Sequence, residues 1–256
     1  MGTGNGTDTI TLSIGSNRDK LIVHRQLICT IPFFQKAFQG NFKEGTGEMD
    51  LPEDKSEVVF LLTDWLYRGV VQAINTQAHL DNFYGLYMFA EKICEERLMD
   101  MTIDAIQDVS LVRDVYISPK QLFHIYQNTS YRSRLRKFAL CLYIQGLPSS
   151  LESSQDLDAD RKFIAEVQEY MKQNEEMNFD IMYWAMQLGA MRKYFDFRKR
   201  GDEDLKFVKA DSPCYFHKHK KNDMCYLDMT KEQVAAKKEY QQVWGLQSGK
   251  LFLGWG

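Results

Sequence analysis

Thr9-Ile10-Thr11-Leu12-Ser13-Ile14, then Gly15-Ser16-Asn17-Arg18-Asp19, then Lys20-Leu21-Ile22-Val23-His24 is the stretch that decides how this chain begins to fold. Ile10, Leu12 and Ile14 alternate with Thr9, Thr11 and Ser13, the period-2 pattern of a half-buried strand. The five residues after Ile14 are turn chemistry, and Leu21-Ile22-Val23 is a second short apolar run, so the stretch predicts a β-hairpin. Downstream, Leu27, Ile28, Ile31, Phe34 and Phe38 recur at spacings of three and four, which predicts a helix starting within a residue or two of His24. Glu48 to Leu51 predicts a third strand ending at Pro52. Ser56 is the expected N-cap of a further helix, whose stripe of Val58, Leu61, Leu62 and Trp65 stops near Gly69.

Five short motifs in this region occur in an order that one domain family uses. They are Leu21-Ile22-Val23-His24-Arg25, Pro32-Phe33-Phe34, Asn41-Phe42-Lys43-Glu44, Leu51-Pro52-Glu53 and Trp65-Leu66-Tyr67-Arg68-Gly69. With Leu86-Tyr87-Met88-Phe89-Ala90-Glu91-Lys92 they resemble the BTB/POZ domain, in the form common among proteins of filamentous fungi. The resemblance reaches about Ile106 and departs at Ile31, where the family usually has a serine before Pro-Phe-Phe. It implies an α/β (α+β) domain over residues 8–112, with helices around a small mixed sheet, used for protein–protein contact and often for recruitment to a cullin scaffold. Tyr67, Val70 and Val71 lie where such contact is expected. The stretch Val70 to Asn75 lacks the glutamate that many cullin-binding members carry nearby. A swapped homodimer is not expected, because the few Gly-rich residues before Thr9 cannot form the helix it uses.

Composition sets outer limits on function. The chain has 256 residues, 44% of them hydrophobic, which is ample for a real core. A net charge of -3 argues against global attraction to nucleic acid or to an anionic membrane. An odd count of five scattered cysteines fits a reducing compartment, so an intracellular protein of the cytoplasm or nucleus is expected. Met1 to Gly6 has neither the basic nor the apolar part of a leader, and no apolar run is long enough to span a membrane. Glycine at position 6 breaks the myristoylation pattern that Gly2 suggests.

Residues 113–256 read as a mainly helical region. Before it, still within 8–112, helical stripes are carried by Phe83, Leu86, Tyr87, Ala90 and Ile93 after an Asp81 cap, and by Met99, Ile103 and Ile106. Ser118-Pro119-Lys120-Gln121 is a helix start with Ser118 as N-cap and Gln121 as capping-box partner. The stripe of Leu135, Phe138, Ala139 and Leu142 is expected to end near Gly146 and Pro148. Ser149 to Asp156 then reads as a loop or linker. Two more amphipathic helices follow, through Phe163, Val167, Tyr170 and Met171, and through Met177, Ile181, Trp184, Ala185 and Leu188. Thr230-x-x-Gln233 opens a last helix, and Leu251 to Trp255 forms an apolar tail that either docks on the body or binds a partner.

Between Arg192 and Lys221 ten Lys and Arg face five Asp and Glu, with aromatic residues interleaved. That is the composition of a nucleic-acid surface, and it sustains an alternative reading as a transcription-associated regulator using 192–221. The acids Asp202, Glu203 and Asp204 inside the run favour an ordinary solvated face, so nucleic-acid contact is not expected. Overlapping its end lies the one constellation with coordination chemistry, Cys214, His217, His219 and Cys225, two of five cysteines and two of five histidines inside twelve residues. Two thiolates and two neutral imidazoles complete a tetrahedral zinc shell and neutralise the ion, so one structural zinc is expected to clip 211–228. The spacing is not that of a zinc finger, and Lys218, Lys220 and Lys221 oppose an incoming cation.

Catalytic signals are weak. There is no Ser-His-acid order, phosphate loop or nucleophile elbow, and Gly2-x-Gly4-x-Gly6 precedes the first strand instead of following one. An enzyme built on Cys214 and His217 would lack an accompanying acid or oxyanion element. His24 reads as a buried hydrogen-bonding residue that fixes the strand-to-helix junction, and Cys29, Cys94 and Cys141 as small core hydrophobes. The expected function is therefore a non-catalytic interaction or adaptor module.

Overall fold

The computed structural model describes residues 8–40, 42–72, 77–113, 117–152, 157–188, 214, 216–218, 225 and 226. Strand β1 (Thr9–Ile14) pairs antiparallel with β2 (Asp19–His24), in register from Thr9 opposite His24 to Ile14 opposite Asp19. Strand β3 (Glu48–Leu51) runs parallel to β1 on its other side, giving a mixed three-stranded sheet in the order β2-β1-β3. The alternation in the sequence is obeyed: Ile10, Leu12 and Ile14 are all buried. Gly15 opens the hairpin turn at φ +66°, where a side chain would be strained, and Arg18 closes it at φ +56°.

The single helix expected after His24 is two helices. α1 (Arg25–Ile28) and α2 (Pro32–Gln39) are separated at Cys29, Thr30 and Ile31. Pro32 supplies no N–H and disfavours helical geometry in the residue before it, so Ile31 is extended and caps α2 with no side-chain hydrogen bond. The apolar spacing survives the break, since Ile28, Ile31, Phe34 and Phe38 are all buried.

α3 (Ser56–Arg68) starts at Ser56, one residue earlier than its proposed capping role requires. The Ser56 hydroxyl donates to Asp19 Oδ2 at 2.5 Å, tying the helix to β2 instead of capping it. Gly69 ends α3 in the left-handed region at φ +72°, with its N–H donating to Trp65 O. α4 (Gln77–Lys92) packs so closely on α3 that a Cβ on Gly85 would lie 2.7 Å from Val58 Cγ2. Asp81 lies inside this helix and is not its cap; it accepts from Gln121 Nε2 at 2.6 Å. α5 (Glu96–Arg113) follows.

α6 (Pro119–Gln127) carries the expected capping box, with Gln121 N donating to Ser118 Oγ and Ser118 N to Gln121 Oε1. α7 (Arg134–Glu152) runs through Gly146 and Pro148, so the expected stop is absent and the first part of the expected linker is helical. Four turns already anchored by Leu135, Phe138, Ala139 and Leu142 outweigh the one backbone bond that Pro148 removes. α8 (Leu157–Gln173) and α9 (Glu175–Leu188) complete the described helices.

The buried apolar side chains form one cluster running from Ile10 to Phe216, in which Ile10, Phe34, Leu62, Trp65 and Tyr87 all take part. The fold is thus mixed α+β, mostly helical, around a small mixed sheet. Arg136 is buried on α7, donating to the carbonyls of Tyr126 and Thr129 and pairing with Glu176 of α9. Tyr126 donates to Asp180 Oδ2 at 2.8 Å. These bonds connect α6, α7 and α9.

Candidate metal centre

His217 N donates to Cys214 O at 3.0 Å, and Cys214 and Phe216 are turn residues. Phe216 anchors the turn, meeting the Phe138 ring edge to face at 5.0 Å. Its neighbour His217 is thereby carried into the interior, where its side chain is 0% exposed. Cys225 is buried too, and its Sγ lies 3.4 Å from His217 Nδ1. The ligand atoms of Cys214, His217 and Cys225 all fall within 4.8 Å of one another, so this group could hold a metal ion.

The spacing suits zinc. A tetrahedral ion about 2.3 Å from sulfur and about 2.0 Å from nitrogen sets those two ligand atoms about 3.5 Å apart, close to the Cys225 to His217 separation. His219, the fourth expected ligand, lies outside the described residues, as does most of 192–221. So do the helix expected from Thr230 and the tail through Trp255.

Sequence reading missed the floor of this site. Asp100 and Asp104, both buried, sit one turn apart on α5 among Met99, Ile103 and Ile106. Asp104 Oδ1 is 3.0 Å from His217 Nε2, and Tyr226 OH donates to Asp104 Oδ2. Asp100 Oδ1 accepts from the backbone N–H of Lys218. A carboxylate is expensive to bury without partners, so two on one apolar helix face were the available signal that something polar covers that face.

Cys225, His217 and Asp104 are also ordered as a nucleophile, a base and an orienting acid would be. Each is buried, at 2%, 2% and 3% exposure, so the sulfur has little surface to offer a substrate. A metal needs no such opening.

The other singled-out residues divide. His24 is half-buried, and its Nδ1 is 2.6 Å from Tyr67 OH, an architectural role at the junction. Tyr67 is thus held by its hydroxyl, and burial pushes its pKa up. Val70 is exposed beyond the end of α3, whereas Val71 is partly buried against the core. Cys141 is fully buried, which pushes its thiol up to about 12. Cys29 is half-buried. Cys94 corrects the core reading: it is exposed, at φ +57° just beyond α4.

No family model and no curated protein matches the chain. Among the described residues no helix is long and apolar enough to cross a membrane.

Proposed function

We propose that the chain is a non-catalytic protein–protein interaction or adaptor module of the BTB/POZ kind over 8–112, whose helical remainder is clipped by one structural zinc. The observation that carries the adaptor reading is the order of elements: a hairpin, a third strand parallel to β1, and helices α1 to α5. It is supported by the agreement of that order with the five motifs quoted above. The zinc is supported by the convergence of two sulfurs and one imidazole in a buried site. With thiolate ligands the protein belongs in a reducing compartment, the cytoplasm or nucleus.

A cullin scaffold is the partner class this reading suggests, with Tyr67, Val70 and Val71 at the contact. Val70 offers the clean probe because it is exposed, whereas Tyr67 also supports His24. Affinity purification of the full chain from its native cells, alongside Val70→Glu, tests the proposal. A stoichiometric protein partner that Val70→Glu loses is the expected result. Recovery of the same partner by both forms removes the Val70 face from the proposal, and recovery of no protein partner rejects the adaptor reading.

A further inference from the structure

We infer that Asp104 of α5 orients His217 in the metal site, so that Nδ1 binds the ion while Nε2–H donates to the carboxylate. The inference rests on the zinc reading above and adds to it a residue from a helix more than a hundred positions away in sequence.

Four contacts support the assignment. The imidazole has its two nitrogens committed to opposite sides, Nδ1 toward Cys225 Sγ at 3.4 Å and Nε2 toward Asp104 Oδ1 at 3.0 Å. A metal-bound histidine characteristically donates its other N–H to a carboxylate, which settles the tautomer and makes the ligating nitrogen a better donor. Asp104 is itself held, because Tyr226, next to the ligand Cys225, donates to its other oxygen. Asp100, one turn earlier, accepts from the N–H of Lys218, next to the ligand His217. Each carboxylate therefore grips the residue that follows a metal ligand. α5 thus presents two acceptors, Asp100 for the N–H of Lys218 and Asp104 for the hydroxyl of Tyr226.

Charge balance agrees. Two thiolates and a neutral imidazole already neutralise a divalent ion, and the Asp104 charge is partnered by N–H and O–H donors and does not need to ligate. Metal binding then does more than close a local loop. It reinforces the hydrogen bonds by which the segment carrying these ligands is held on α5.

The test uses the full chain. Zinc affinity is measured by competition with a chromophoric chelator for wild type, Asp104→Asn and Glu169→Gln, the last a distant carboxylate on α8. Asp104→Asn should weaken zinc binding roughly 10- to 100-fold, with Glu169→Gln unchanged. Melting of each variant with and without zinc separates this from a general packing defect: the positioning role lowers only the zinc-dependent increment. Equal zinc affinity in wild type and Asp104→Asn overturns the inference while leaving the metal site standing. Wild type that takes up no zinc overturns the metal reading itself. Should Asp104→Asn fail to fold, nitrogen NMR of zinc-loaded wild type decides the matter. His217 protonated at Nε2 and metal-bound at Nδ1 is expected, and the reverse tautomer refutes the role of Asp104.

Discussion

His217 Nε2 lies 3.0 Å from Asp104 Oδ1 although 113 positions separate the two residues. The pair ties the segment carrying Cys214, His217 and Cys225 to α5. It links an imidazole with no exposed surface to a carboxylate that the surrounding apolar residues alone could not accommodate. The relationship makes the candidate metal site a matter for the whole fold.

Removal of zinc by a strong chelator should lower the melting temperature of the full chain. An ion present at a thousand times its dissociation constant contributes about 4 kcal/mol, which for a protein of this size corresponds to roughly 8 to 16 °C. Cys214→Ser and Cys225→Ser should melt near the chelated wild type and should not respond to added zinc. Scanning calorimetry with parallel elemental analysis checks this, and an unchanged melting curve on chelation would count directly against a structural ion.

The cysteines should react with a thiol reagent in a defined order. Cys94 is exposed and should modify first, with half-buried Cys29 slower because burial raises its thiol pKa. Cys141, pushed up to about 12 by complete burial, should modify only on unfolding. Cys214 and Cys225 should be protected until the metal is chelated. Mass mapping of labelled sites over time gives the order. A Cys225 that outpaces Cys94 in zinc-loaded protein would instead mark an activated nucleophile.

Trp65→Ala should cost about 3 to 5 kcal/mol, since it empties a site between α3 and α5 where the indole meets buried apolar neighbours and its N–H reaches Met101 Sδ at 3.4 Å. Trp65→Phe should recover most of that loss. Urea denaturation measures both, and a Trp65→Ala midpoint equal to wild type would show that the core does not depend on this side chain.

Arg136→Ala should cost about 2 to 5 kcal/mol, because the carbonyls of Tyr126 and Thr129 lose a buried donor. Glu176→Ala should cost about 1 kcal/mol or less, since the Glu176 side chain is 37% exposed, water can take its place at the guanidinium, and Arg136 keeps the carbonyls of Tyr126 and Thr129. A double-mutant cycle followed by urea denaturation separates the two contributions. Equal losses for the two single variants would mean that the ion pair, not the carbonyl bonds, holds α7 to its neighbours.

Local pattern by itself determined the hairpin, the third strand, the residues that α1 and α2 bury and the capping box at Ser118. Each of these depends on residues within a few positions of one another: alternation in β1, three-and-four spacing around Phe34, and reciprocal hydrogen bonds between Ser118 and Gln121. The ligand types at Cys214, His217 and Cys225 were legible for the same reason, as donors crowded into twelve residues. Tertiary structure decided what no local window contains. Whether α7 stops at Pro148 is set by how firmly its preceding turns are packed, and whether Ser56 caps α3 or bonds Asp19 is set by where β2 lies. Above all, Asp100 and Asp104 read as two acids on an amphipathic helix until a distant segment folds onto them. Hydrogen bonds and coordination act over about 2 to 3 Å of space whatever the sequence separation, and only the folded chain brings that imidazole to that carboxylate.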